Sequence, residues 1–139
     1  SGADYTVGSD AVVGVNLEVF NAQALKRIKA HFPHAEYSEY MTWYFQNNPN
    51  HVCIQKVELP ELYRRPYRLT LDYEEDLVLF NAIHQNLVAQ GKTPYSLKEV
   101  VELLDARPDL AQINQHLTLT YKTDQSLIDL LNDRTKIKA

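Results

Sequence analysis

The segment Arg68-Leu69-Thr70-Leu71-Asp72-Tyr73-Glu74-Glu75-Asp76-Leu77 gathers the side chains of this chain best suited to chemistry. Leu69-Thr70-Leu71 has strand character and delivers Asp72 to the start of a helix. A carboxylate there can accept hydrogen bonds from the orphan amides of the first turn, with Glu75 three residues later closing a capping box. A carboxylate at the end of a strand is also where α/β folds place a ligand or a metal ion. On spacing alone, a helix cap and a ligand site are both open for Asp72. Glu74, Glu75 and Asp76 read as structural first-turn acids favoured by the helix dipole. Arg64, Arg65 and Arg68 form the one basic cluster, and guanidinium forks suit phosphate or carboxylate. Arg68 and Arg65 are therefore candidate substrate-binding residues, with a solvated loop as the alternative.

Other chemistries lack their signatures. Four glycines supply no phosphate-cradling loop. The histidines and the single cysteine show no zinc spacing. His31 and His34 flank Pro33 and read as a surface turn, and His84 falls on an inner helical stripe as a core histidine. Cys53 has no partner for an internal disulfide, which fits a cytoplasmic location. A net charge of −4 gives no electrostatic footprint for nucleic acid or for an anionic membrane. No apolar run approaches the roughly 18 residues that span a bilayer. Neither nucleic acid nor membrane is an expected partner.

The elements that must position these residues follow from periodicity. Val12 to Phe20 alternates as a strand, and Asn21 caps a helix marked by Ala24, Leu25 and Ile28. Glu36 to Gln46 reads as an aromatic helix carrying Tyr37, Tyr40, Met41 and Tyr44, a face suited to core or to a subunit contact. Val52 to Leu59 alternates as a second strand. The Leu69–Leu71 strand leads into a helix from Tyr73 to about Gln90, with Leu77, Phe80, Ile83, His84 and Leu87 inside and Gly91 as its stop. Ser96 and Glu99 form a capping box for the next helix. Pro108 to Asn114 is a short helical turn, Leu117 to Tyr121 a possible edge strand, and Thr123 or Asp124 caps a last helix. The spacing thus predicts an α/β fold of few strands and several flanking helices. Residues 1–11 are read as a disordered or expression-derived N-terminus, and 12–139 as a single α/β domain. The strands are too few for a full doubly wound sheet, so the sheet is expected to be completed by a further segment or a second copy.

Taken in order, these motifs resemble the C-terminal half of the cytidylyltransferases that activate acidic sugars. The nearest likeness is to the spore-coat polysaccharide biosynthesis protein F group, with the CMP-KDO and CMP-sialate synthetases more distant. The family's Gly-Leu-Asp-Val-Glu-Val-Phe strand is matched by Gly14-Val15-Asn16-Leu17-Glu18-Val19-Phe20. Its Glu-His-Val-Thr-Pro-Tyr-Ile segment is matched by Glu39-Tyr40-Met41-Thr42-Trp43-Tyr44-Phe45, with Asn48-Pro49 following. The Arg68–Leu77 segment matches its Arg/Trp-x-Thr-x-Asp-x-x-Glu-Asp motif, and Tyr95-Ser96-Leu97-Lys98-Glu99-Val100 through Ile113-Asn114 resembles its tail.

The resemblance implies the C-terminal part of a nucleotide-diphospho-sugar transferase-like fold, Rossmann-like and three-layered. It implies that CTP and an acidic or amino sugar are substrates of the intact enzyme, with Mg²⁺ as cofactor and Asp72 as one metal ligand. Asn16 stands where the family has an aspartate, so a substrate contact there would come from an amide. A homodimer is implied, through the arm holding Tyr37, Tyr40, Met41 and Tyr44. The family's N-terminal basic loop and its Gly-Asp-x-Pro segment do not occur in the sequence, and Tyr40 replaces a histidine. The chain alone is therefore expected to be a poor catalyst. The rival expectation is a non-catalytic dimerisation or interaction module derived from the same fold.

Overall fold

The computed structural model describes residues 2–9 and 11–138. It is an α/β structure in two compact units. The first comprises residues up to Gly8, Leu17–Val57 and the chain from Thr118 onward; the second comprises Ser9–Asn16 and Glu58–Leu117. The single domain expected over 12–139 is thus divided, and the segment expected to be disordered contains a strand.

In the first unit, β1 (Tyr5–Ser9), β2 (Glu18–Phe20) and, later in the chain, β3 (Ile54–Glu58) form a sheet of order β2-β1-β3. β1 and β2 are antiparallel, with Tyr5 opposite Phe20 and Val7 opposite Glu18. Tyr5 is fully buried, stacked on Phe20 at 4.8 Å, and Phe20 meets Phe45 edge-on at 5.0 Å. β1 is held in place because Tyr5 sits at the centre of this aromatic cluster. The Tyr5 hydroxyl donates to Glu18. Burial first, and then that carboxylate, push the phenol up to about 12.

Asn21 caps α1 (Ala22–His31) as expected, its Oδ1 accepting from the amides of Gln23 and Ala24. The aromatic segment is shorter than read: a 3₁₀ turn, Ser38–Tyr40, runs into α2 (Met41–Gln46). The chain returns near its end. In place of the expected edge strand over 117–121, Thr120–Thr123 form a short helix, counted as α6 below, and Asp124 caps α7 (Gln125–Arg134). Buried Asn48 donates to the carbonyls of Tyr44 and Thr135, and its Oδ1 accepts from the Ile137 amide at 2.8 Å. One amide side chain thereby ties the segment after α7 to the end of α2.

The second unit is built on α3 (Glu74–Ala89), α4 (Leu97–Ala106) and α5 (Pro108–Ala111), preceding α6 and α7 in the chain. Ser96 and Glu99 make the predicted capping box on α4. The helices close over a core of Val12, Leu69, Leu79, Ile83, Leu87 and Leu104. The inner stripe of α3 is Asp76, Leu79, Ile83 and Leu87, whereas Leu77 is 52% exposed. His84 is likewise exposed, its Nδ1 3.2 Å from the Tyr95 hydroxyl, and is not a core histidine.

The two strands expected over 12–20 and 69–71 are mostly irregular. Among the described residues, one isolated parallel bridge pairs Val13 with Arg68, just ahead of the second of them. The Leu69 amide donates to the Val13 carbonyl at 2.7 Å, and the Val13 amide to the Tyr67 carbonyl at 3.1 Å. Gly14 ends the pairing with φ +92°, and a Cβ there would lie 2.1 Å from the Leu69 carbonyl oxygen. Beyond this turn Leu17 is 76% exposed, so its alternation with Val15 marks no buried face.

Gly14→Ala is expected to destabilise the chain by at least about 1–3 kcal/mol, the cost of a strained backbone, with the clash in addition. Gly91→Ala shares the positive φ but meets open space, so only about 1–2 kcal/mol is expected. Denaturant midpoints for the two variants check this, and equal losses would show that the close approach at Gly14 is unimportant.

Candidate functional site

The bridge at Val13 delivers Arg68 to the N-terminus of α3, and Arg68 organises what surrounds it. The guanidinium is 6% exposed. Its Nε donates to Asp76 Oδ1 at 3.0 Å and its Nη2 to Asp76 Oδ2 at 3.1 Å, a bidentate pair. Nη2 also reaches Asp72 Oδ2 at 2.7 Å. The Tyr73 ring lies over the group, with its centroid 5.3 Å from Cζ, a cation–π contact. Nη1 is buried without a hydrogen-bond partner among the described residues.

Asp76 is fully buried and fully used. Besides Arg68, its Oδ2 accepts from the amides of Asp72 at 2.9 Å and Tyr73 at 3.1 Å, and its Oδ1 from Asn114 Nδ2 at 2.7 Å. Burial alone would raise its pKa. The bonds from Arg68, the two amides and Asn114 together outweigh burial and hold the carboxyl well below the usual carboxylate range.

This arrangement corrects the reading of Asp72 as the helix cap. Tyr73 is the N-cap residue, and Asp76, not Glu75, reaches back to the free amides. Relieved of capping, Asp72 is 56% exposed and accepts from Arg68 and from Thr70 Oγ1 at 2.8 Å, both on Oδ2. The cluster of Arg68, Asp72 and Asp76 carries one positive and two negative charges, leaving a net negative charge beside solvent. That sign favours a cation over an anion.

The basic cluster is divided among separate duties. Arg65 pairs with Asp105 through Nε at 3.1 Å and Nη2 at 3.1 Å, and donates from Nη1 to the Glu61 carbonyl. The Tyr67 hydroxyl donates to the same Asp105 at 2.6 Å. Arg64 donates to the Leu59 carbonyl. Arg65 is thus a structural tie at α4, while Arg68 holds the carboxylates at α3. Asn16 is exposed on the irregular stretch after Gly14. Among the candidate interface residues, Tyr44 is buried in the first unit's own core, its hydroxyl accepting from the Tyr37 amide, and Tyr37, Tyr40 and Met41 are half-buried.

Asn114 is the site residue that the sequence reading overlooked. It is buried and donates to the Arg68 carbonyl at 3.0 Å as well as to Asp76. Its signal was its phase: it lies four residues after Leu110, on an apolar face, and a polar group there needs a buried partner. No trio of His, Cys, Asp or Glu among the described residues could hold a metal by itself, and no described helix is long and apolar enough to cross a membrane.

Two curated proteins are similar to this chain. The spore coat polysaccharide biosynthesis protein SpsF of Bacillus subtilis (strain 168) is 38% identical over 114 residues, covering 79% of this chain and 46% of that protein. An uncharacterized protein of Methanocaldococcus jannaschii is 27% identical over 115 residues, covering 82% of this chain and 46% of that protein. The chain spans about half the length of these relatives. No family model matches it, and no solved structure gives a significant match.

Asp76→Asn is expected to cost about 3 kcal/mol or more, since it leaves Arg68 buried beside a neutral amide with only Asp72 to balance it. Because the Asp76 pKa is lowered in the folded state, the unfolded chain binds more protons below about pH 4, and stability falls as pH drops through that region. The variant should lose part of this pH dependence. Urea denaturation at pH 7 and pH 3 checks both, and an unchanged slope would show that the Asp76 carboxylate contributes nothing.

Proposed function

We propose that this chain is the C-terminal portion of a nucleotidyltransferase that activates a sugar for surface-polysaccharide synthesis, in the manner of a cytidylyltransferase. In this reading its sheet is one end of a larger Rossmann-like sheet. The substrates are CTP and an acidic or amino sugar: a sugar hydroxyl attacks the α-phosphate, a new P–O bond forms, and pyrophosphate departs with the broken one. The work is placed in the cytoplasm. The observation that carries the reading is the half-exposed Asp72 carboxylate, held by Arg68 in a net negative cluster, in a chain 38% identical over 114 residues to a spore coat polysaccharide biosynthesis protein.

The residues fit Mg²⁺ as one part of its shell. Mg²⁺ is bound by one or two carboxylates, with phosphates and waters completing the octahedron. Asp72 would supply one such carboxylate, and the ion, when bound, neutralises charge developing on the phosphates. Thr70 and Arg68 orient Asp72 through Oδ2. Asp76 and Asn114 hold Arg68 in turn, so these two act by positioning. Arg65, committed to Asp105, is left out of the substrate site, whereas Asn16 is exposed and retained as a candidate contact.

A second reading, a non-catalytic dimerisation or interaction module, is favoured by one observation: Arg64, Arg65 and Arg68 are each already engaged by protein acceptors. Calorimetric titration of CTP with Mg²⁺ separates the two, run on this chain alone and on this chain mixed with the remaining half of the Bacillus relative. Binding in the mixture supports the enzyme, and its absence with both pieces folded supports the module. Asp72→Asn is expected to weaken Mg²⁺-dependent binding at least about 10-fold. Its melting temperature should fall by no more than about 4 °C, because Asp72 is half-exposed and Asp76 still holds Arg68 with both oxygens. Equal loss of fold and binding would return Asp72 to a structural role.

A further inference from the structure

Beside α1, in the first unit, two adjoining cavities of ≈ 210 Å³ and ≈ 230 Å³ share Phe32, Ala35 and Tyr44 in their walls. The smaller presents an almost wholly apolar surface, with Leu25, Ile28 and Met41 in its wall beside Lys29 and Ser38. The larger carries one guanidinium, Arg134, and one carboxylate, Glu36, with the imidazoles of His31 and His34. Arg134 is half-exposed and touches Asp133, its neighbour in sequence, only at 3.6 Å, so its fork remains available. Ala35, at the junction, has φ +41°, a left-handed conformation uncommon for a residue with a Cβ. The turn dividing the two cavities is therefore held out of the ordinary backbone wells, as is frequent at ligand clamps.

Arg134 and Glu36, beside a mainly apolar recess whose wall also includes Lys29, complement a zwitterion that carries an apolar side chain. A simple anion would meet Glu36, and a simple cation would meet Arg134. Drug-sized ligands occupy about 300–1,000 Å³, so either cavity alone is small and the pair suits a molecule of amino-acid size. We propose that this is a binding site for a free hydrophobic α-amino acid. The side chain enters between Leu25, Ile28, Met41 and Tyr44, the carboxylate meets Arg134, and the ammonium meets Glu36. The site is independent of the Asp72 cluster and of the nucleotidyl-transfer reading.

Met41 is the single methionine of the chain, so a ¹³C-methyl label gives one NMR signal that reports on the apolar recess. L-phenylalanine is expected to shift that signal saturably. L-phenylalaninamide and N-acetyl-L-phenylalanine, each lacking one charge, should bind about tenfold more weakly, the worth of one charge-assisted hydrogen bond. Arg134→Gln should abolish the preference over the amide and leave the preference over the N-acetyl compound, and Glu36→Gln should do the converse. An unmoved Met41 signal at millimolar L-phenylalanine, or equal shifts from all three compounds, would overturn the proposal. A signal that moves with protein concentration alone would also overturn it, because a second copy would then cover the recess.

Discussion

The second unit depends on a guanidinium kept away from water. Taking Arg68 out of solvent carries a desolvation cost of several kcal/mol, which only close and geometrically matched acceptors can offset. Asp76 meets that need with both oxygens, and the remaining features follow from it. Asp76 must face inward, so α3 turns Leu79, Ile83 and Leu87 into the core and Leu77 outward. Asp76 must accept from the amides of Asp72 and Tyr73, which sets where α3 begins. Asn114 must approach to saturate Oδ1, which draws the chain after α5 onto the same point.

A single constraint therefore joins stability to the candidate chemistry. Because Asp76 does the capping, Asp72 is spared for solvent, and because Asp76 holds Arg68 at two points, Asp72 is anchored beside it. An anchored and accessible carboxylate is what a hydrated divalent ion can use. The first unit repeats the device in neutral form. Asn48 satisfies two carbonyls and one amide in the interior, so the segment after α7 is fixed by hydrogen bonds as well as by the packing of Ile137 on the core. In both units a buried polar side chain joins stretches of chain far apart in sequence, and leaving its partners unmet would cost more than the bond contributes.

Local structure was legible wherever a local interaction decides it. Asn21, Ser96 with Glu99, and Asp124 were readable as caps because each bonds amides two or three residues away. Alternation misled where a half-buried strand and an irregular segment share the same pattern. Val12 to Phe20 alternates well, yet Gly14 turns the chain and leaves Leu17 in water. The first eleven residues carried no strong strand pattern, and Tyr5 is buried because Phe20 and Phe45 surround it. The arginines looked like one cluster because they are close in sequence, but Asp105 claims Arg65 from 40 residues away.

The sequence by itself determined where α1, α3, α4 and α7 lie, the caps of α1, α4 and α7, and that Arg68, Asp72 and Asp76 share one short segment. Those are consequences of hydrogen bonds and periodicities spanning a few residues. Tertiary structure alone decided which aspartate is buried and which is free, because the choice depends on Asn114 arriving from 38 residues away and on the Val13 bridge placing Arg68. Two carboxylates four residues apart are chemically equivalent until a fold surrounds one of them. Burial with matched donors turned Asp76 into structure, and exposure left Asp72 open to a ligand.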